Sequence, residues 1–256
     1  MVNVLEWSVY GEAIGDAGAV LRANAASAGM GAPVPTCPGW SVRDLVTHTG
    51  IVHRWAARRL RGADDRPDAE VAAEASAADD LLDWFDDGLV DLLNALAATA
   101  EDAAGDFFLL DAPAWRFAWA RRQAHETTIH AVDAMAARLG RAPTASEVWF
   151  APAVAADGVD ELLSGYLPRP RYAPMPPVAE RVRVRATDAE RAWDVSLSPQ
   201  GAVTTRAARG EPDAAAVRVE GTCRSLYLGL WNRGEELVCS DPAWLERWRA
   251  GVRVTW

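Results

Sequence analysis

The segment RRQAHETTIHAVDA, residues 121–134, decides how this chain is read. It falls inside a helix predicted to start after Pro113 and to run to about Leu139, where Gly140 stops it. Glu126 and His130 are four residues apart, so they leave one face of that helix a turn apart. Trp119, Arg122 and Asp133 lie on or near the same face. A carboxylate and an imidazole placed this way can both reach one metal ion. The same spacing serves an ordinary surface ion pair, and taken alone it does not separate the two.

The chain has four histidines, His48, His53, His125 and His130. All fall on two predicted helices. The other helix is SVRDLVTHTGIVHRWAARRL, beginning at Ser41. Ser41 with Asp44 three positions later reads as an N-cap with an acidic first turn. Leu45, Val52 and Trp55 recur at helical spacing, which puts His48 on the inward face. A buried imidazole takes either a hydrogen-bond partner or a metal, and both fit here. Facing Glu126 and His130 across a bundle, His48 completes a three-ligand set of the kind facing helices build. His53 lies about 140° round its helix from His48, and His125 about 100° from Glu126. Both are expected to point elsewhere. Three protein ligands leave coordination positions open, which points to catalysis rather than structure. Two histidines and a carboxylate suit zinc, and also iron or nickel. Such an ion lowers the pKa of a bound water or thiol.

Around these two helices the first 165 or so residues read as helical. Residues 3–29 carry Leu5, Ile14, Val20 and Leu21. GAPVPTCPGW, 31–40, has three prolines and two glycines and must be a loop. A third helix is expected over 76–98 on the stripe Leu81, Leu82, Phe85, Leu89, Leu92, Leu93 and Leu96. Its interspersed acids read as a solvated face, since the calcium-loop spacing is absent. A shorter helix is expected near 146–164. PRPRYAPMPP, 168–177, has five prolines in ten residues and reads as a semi-rigid linker. Beyond it the period changes to two. RVRVRA (181–186) alternates, as do Trp193, Val195 and Leu197, and then Val217 and Val219. These are strands with one buried face, with SPQG (198–201) as a turn. Thr222 caps a helix holding Leu226, Leu230 and Trp231, and Asp241-Pro242 opens a last one. The expected architecture is α+β in two domains. A metal-binding helical bundle spans 1–167, a linker 168–177 and a small α+β domain 178–256.

Composition narrows the function classes. The 256 residues are half hydrophobic, enough for a full core, and carry a net charge of -10. An acidic surface repels phosphate backbones, so no nucleic-acid partner is expected. No apolar run is long enough to cross a bilayer and no secretion signal is legible, so a soluble, cytoplasmic protein without a membrane partner is expected. Cys37, Cys223 and Cys239 are too few and too scattered for a disulfide framework or a structural zinc site. Twelve tryptophans serve packing, with an aromatic-walled pocket as the other use.

The loop and helix VPTCPGWSVRDLVTHTGIVHRWA, with RRQAHETTIHAVDA far downstream, resembles the mycothiol-dependent maleylpyruvate isomerase family. That family lies within the DinB-like metalloenzyme superfamily. AADGVDELLSGYLPRPR (155–171) and LYLGLWNR (226–233) extend the resemblance across nearly the whole chain, although Asn232 stands where glycine is usual. The resemblance implies a DinB-like four-helix bundle joined to a sterol-carrier-like α+β domain. It implies His48, Glu126 and His130 as ligands, usually of zinc, and Arg233 as an arginine facing the substrate. Arg is suited to clamping a carboxylate, and equally to ending a helix as a cation. Arg122, one turn before Glu126, is placed to pair with it or with substrate. Trp40 either walls the pocket, as part of the cofactor site, or staples the helix it precedes. Cys37 is read as packing.

The expected activity is that of a metal- and mycothiol-dependent isomerase or S-transferase. A metal-favoured thiolate would act on a small electrophile, with small molecule and thiol as partners and the chain a monomer or homodimer. A hydrolase using metal-bound water, or a non-catalytic binding module, are the alternatives.

Overall fold

In the computed structural model the described residues are 5–169, 176, 178–208, 210–212 and 214–252. Apart from residues 168, 169 and 176, the proline-rich linker therefore lies outside them. The chain forms two compact units.

The first unit holds Val4–Asp106 and Pro113–Pro143. It is built from α1 (Trp7–Ala28), α2 (Val42–Leu60), α3 (Asp68–Ala77), α4 (Leu81–Ala98) and α5 (Trp115–Leu139). α1 packs along α5, α2 lies between α4 and α5, and these four make the bundle. Ser41 caps α2 in full: its hydroxyl accepts from the Asp44 amide, and its own amide donates to the Asp44 carboxylate at 2.8 Å. The third helix expected over 76–98 is α4, which starts later, at Leu81, and α3 before it was not anticipated. Asp80 accepts from the amides of Leu82 and Asp83 and starts α4 afresh, and Ala78, in extended conformation, ends α3. The acidic face of α4 is a surface one, where Arg22 pairs with Asp83 and Asp86, and Arg61 with Asp91. α2 and α4 approach closely because Gly50 lies under the Trp84 ring, with Arg54 stacked 3.7 Å from that ring's centre.

α5 has no exposed face over a long stretch: every residue from Ala118 to Ala136 is buried. Among them are Arg121, Arg122, Gln123, His125, Glu126, Thr127, Thr128, His130 and Asp133. A helix serving only as core would not carry this polar load, because each buried polar group needs a partner.

The second unit includes Phe107–Ala112 and the chain from Thr144 onward. It contains α6 (Pro152–Glu161), a π-helical turn (Leu162–Tyr166), β1 (Glu180–Ala186), β2 (Ala192–Ser198), β3 (Gly201–Ala207), β4 (Val217–Gly221), α7 (Cys223–Leu230), β5 (Val238–Cys239) and α8 (Pro242–Gly251). The sheet order is β3-β2-β1-β4-β5, with β1 and β4 parallel and the other pairs antiparallel. The alternation in β1 is as expected for Val182 and Val184. The other face is not simply solvated, because Arg183 is 2% exposed and donates to Asp194 and to the carbonyls of Ala208 and Glu211.

α6 belongs with the sheet and not with the bundle, so the division falls at 143/144 and not at the linker expected over 168–177. From Val154 to Glu161 the helix is buried on all sides, its acids included, and it packs on α7. Its Asp160 carboxylate accepts from Trp193 Nε1 at 2.9 Å and from Arg206 Nε and a terminal nitrogen at 2.6 and 2.7 Å. Arg206 also reaches Asp111, which explains why residues 107–112 join this unit.

Candidate metal centre

The site grows from the two helices singled out in the sequence. α2 brings His48 and α5 brings Glu126 and His130, and one ligand atom from each lies within 4.8 Å of the others. Glu126 Oε1 is 3.0 Å from His130 Nε2 and 3.5 Å from His48 Nε2. Glu126 Oε2 accepts from Arg122 at 3.2 Å, one of the two partners expected for that arginine. The side chains of Glu126 and His130 are only 4% and 6% exposed, while His48 is 17% exposed.

The donor set fits a cation. His130 Nδ1 faces Asp133 Oδ2 at 3.0 Å, and a carboxylate can only accept, so the proton sits on Nδ1. His130 Nε2 is then a lone pair aimed at an anionic oxygen unless something positive lies between. A proton is one answer. Burial disfavours the imidazolium, but the Glu126 carboxylate and the Asp133 hydrogen bond outweigh it and push His130 up to about 9. Burial likewise opposes the charge on Glu126, yet His130, His48 and Arg122 hold it well below the usual carboxylate range. The other answer is a divalent ion, held by two imidazole nitrogens and a carboxylate oxygen at the point where all three converge. Among the described residues these three are the one such group.

Trp40 lies against both imidazoles. Its ring centre is 5.0 Å from that of His48 and 6.1 Å from that of His130. Further along α5, Trp119 meets Trp55 of α2 edge to face at 5.0 Å. A second aromatic wall therefore stands one to two turns from the triad, past Arg122.

His53 points elsewhere, as expected. It does not join the triad, but neither does it leave the core. It is fully buried, because α2 has partners on two sides, with Phe85 of α4 on one and Thr127 of α5 on the other. The Thr127 hydroxyl gives its proton to the Gln123 carbonyl, so it accepts from His53 Nε2 at 2.9 Å. Burial drives His53 down to about 3, so it stays neutral. His125 is also buried.

Asp133 was visible in sequence only as a residue near the ligand face. The structure gives it partners that sequence reasoning missed. Its Oδ1 accepts from Thr36 Oγ1 at 2.6 Å, and its Oδ2 accepts from Cys37 Sγ at 3.2 Å. Cys37 is thus a hydrogen-bond donor to the residue behind a ligand and not mere packing. The usable signal was a carboxylate three residues after a ligand histidine, on the same helix face.

Arg233 lies in the sheet unit, just past α7. Asn232 has φ 60°, and its amide reaches Gly229 while that of Arg233 reaches Leu228, a Schellman ending for α7. Asn tolerates this left-handed conformation better than other side-chain-bearing residues, which accounts for its standing in a glycine position. Arg233 also donates from its guanidinium to the Trp231 carbonyl at 2.9 Å. The free thiols of the sheet unit show no sign of activation: burial and Asp188 push Cys223 up to about 12, and burial raises Cys239. No helix of the described residues is long and apolar enough to cross a membrane.

Comparison with known proteins gives the following. Residues 12–135 match the family model of the mycothiol maleylpyruvate isomerase N-terminal domain, and residues 153–238 match the C-terminal domain of the same family. Among solved structures, a mycothiol-dependent maleylpyruvate isomerase superposes with a TM-score of 0.57 at 17% identity, covering 92% of this chain and 93% of that one. A histidine-to-alanine mutant of a mycothiol-dependent maleylpyruvate isomerase superposes with a TM-score of 0.59 at 15% identity, again over 92% and 93%. These likenesses establish the α+β fold, a helical N-terminal part followed by a sheet-containing one. No curated protein sequence matches the chain.

Proposed function

The chain belongs to the mycothiol maleylpyruvate isomerase family, and from that premise we propose that it is a metal-dependent enzyme using a low-molecular-weight thiol, mycothiol, to isomerise or S-conjugate a small electrophile. The observation that carries the metal part is the convergence of His48, Glu126 and His130 on one point, with the Nδ1 proton of His130 already committed to Asp133. A divalent ion held by these residues, zinc first and nickel or iron next, would favour the thiolate form of a bound thiol at neutral pH.

The chain's own residues do the rest. Arg122 offsets the charge of Glu126 and fixes its Oε2, leaving Oε1 for the ion. Trp40 shields the two imidazoles from water on the loop side, which strengthens electrostatic interactions at the site. The Cys37 thiol, on the loop beside the triad, donates to Asp133. That suits a nucleophile brought by a cosubstrate. Arg233, by family resemblance, is the residue that would hold an anionic group of the substrate.

The test is direct. Purified protein should carry close to one divalent ion per chain, and His48→Ala and His130→Ala protein should carry almost none. Wild-type-like metal content in both variants would remove the site. Calorimetry of the metal-loaded protein with mycothiol, and a mycothiol-dependent assay on maleylpyruvate, then address the chemistry. Activity on an ester or amide without any thiol would move the assignment to hydrolysis by metal-bound water.

A further inference from the structure

Asp133 sits seven residues after Glu126 and three after His130, so it extends their stripe along α5. Its carboxylate is fully buried and joins two structures that are distant in sequence. One is His130, through Nδ1. The other is the loop before α2, through Thr36 Oγ1 and Cys37 Sγ. That loop has a defined shape of its own. The Cys37 amide donates to Val34, the Trp40 amide to Cys37 and the Val34 amide to Trp40, and Gly39 turns the chain at φ 90°. The loop ends in Trp40, whose ring lies against both ligand imidazoles. One carboxylate therefore holds a ligand from behind and anchors the segment that covers it.

We infer that Asp133 is a positioning residue that couples two events, the orientation of His130 for the ion and the closure of the Thr36–Trp40 loop over the triad. Orientation follows from the fixed tautomer: with Nδ1–H given to Asp133, only Nε2 can ligate. Coupling follows because Oδ2 is shared between His130 Nδ1 and Cys37 Sγ, so a change at the imidazole is felt at the loop. A purely structural Asp133 would stabilise the fold without affecting the coordination sphere.

Titration of the metal-free full chain with Co²⁺, read by visible d–d absorption, tests this. Asp133→Asn should weaken cobalt binding by about 10–100-fold and change the band positions. Iodoacetamide labelling of Cys37, located by mass spectrometry, should be several-fold faster in Asp133→Asn than in the wild type, and cobalt should slow it in the wild type. Thr36→Val cuts only the loop-side bond. It should speed labelling of Cys37 and weaken cobalt binding a few-fold, and it decides the matter should Asp133→Asn fail to fold. A folded Asp133→Asn protein with unchanged cobalt affinity and spectrum would overturn the inference, as would Thr36→Val protein indistinguishable from the wild type. The inference rests on the metal reading: failure of the wild type to bind cobalt would overturn both, whereas normal binding by the variants would overturn this one alone.

Discussion

Two buried carboxylates, Asp160 in the sheet unit and Glu126 in the helical one, are almost equally hidden from water, and the chain treats them in opposite ways. Around Asp160 the partners are donors whose protons are certain: an indole N–H and two guanidinium nitrogens. The charge is neutralised by the chain itself, and the cluster is closed. Around Glu126 one oxygen is met by Arg122, but the other faces two imidazole nitrogens, each of which can be a lone pair. That second oxygen has a donor only when a proton or an ion joins. The comparison teaches that depth of burial does not distinguish a structural acid from a functional one. The protonation freedom of its partners does.

The strongest way to break the comparison is at the closed cluster. Asp160→Ala leaves Arg206 and Trp193 without their shared acceptor, and should destabilise the protein by about 3–5 kcal/mol in urea unfolding. Metal content per folded chain should not change. A loss of metal in folded Asp160→Ala protein would contradict the separation of roles. At the open cluster, removal of a ligand should exceed the effect of outer-shell changes. His130→Ala should weaken divalent-ion binding by at least about 100-fold, measured by competition with a chromophoric chelator.

His53 sharpens the contrast, since it is a buried histidine on the same helix as a ligand but faces away from the triad. Its pKa is about 3 in the folded protein against an ordinary 6.5. The unfolded chain therefore takes up a proton that the folded one refuses. The contribution of neutral His53 is complete above pH 6.5 and is lost as pH falls toward 3, at up to about 1.4 kcal/mol per unit. His53→Gln should flatten the slope of unfolding free energy between pH 6.5 and 5. An equal slope in both proteins would show that His53 is not the group responsible. The smallest effect concerns the helix that carries His48. Ser41→Ala removes the capping box of α2 and should cost about 1 kcal/mol with metal affinity nearly unchanged, because the cap acts on the helix end and not on the ligand.

Much of this was legible in sequence where one rule of local geometry sufficed. The four-residue step from Glu126 to His130, the Ser41–Asp44 start of α2, and the alternation of Val182 and Val184 depend on backbone periodicity alone. The start of α4 at Leu81 and not near 76 was legible in principle, through Asp80 as a cap, but the preceding alanines blurred the period. The angle of His53 on α2 told that it leaves the ligand face but not that it is buried, which follows from the helix lying between two partners. Arg183 looked like a solvated position of β1 and is buried, because carbonyls from a distant loop supply its acceptors. α6 was placed with the bundle on sequence order, yet its partners are Trp193, Arg206 and α7.

Sequence by itself determined the α+β fold class and placed His48, Glu126 and His130 on two helices. These follow from residue type and a fixed rise and rotation per residue, which act within a few positions of one another. Tertiary structure alone decided which nitrogen of His130 is free, that Thr36 and Cys37 close on Asp133 from nearly a hundred residues away, and that Asp160 is a sealed charge while Glu126 is an open one. The physical reason is that a buried charge is defined by the donors and acceptors around it, and those are assembled by packing between segments that no local pattern connects.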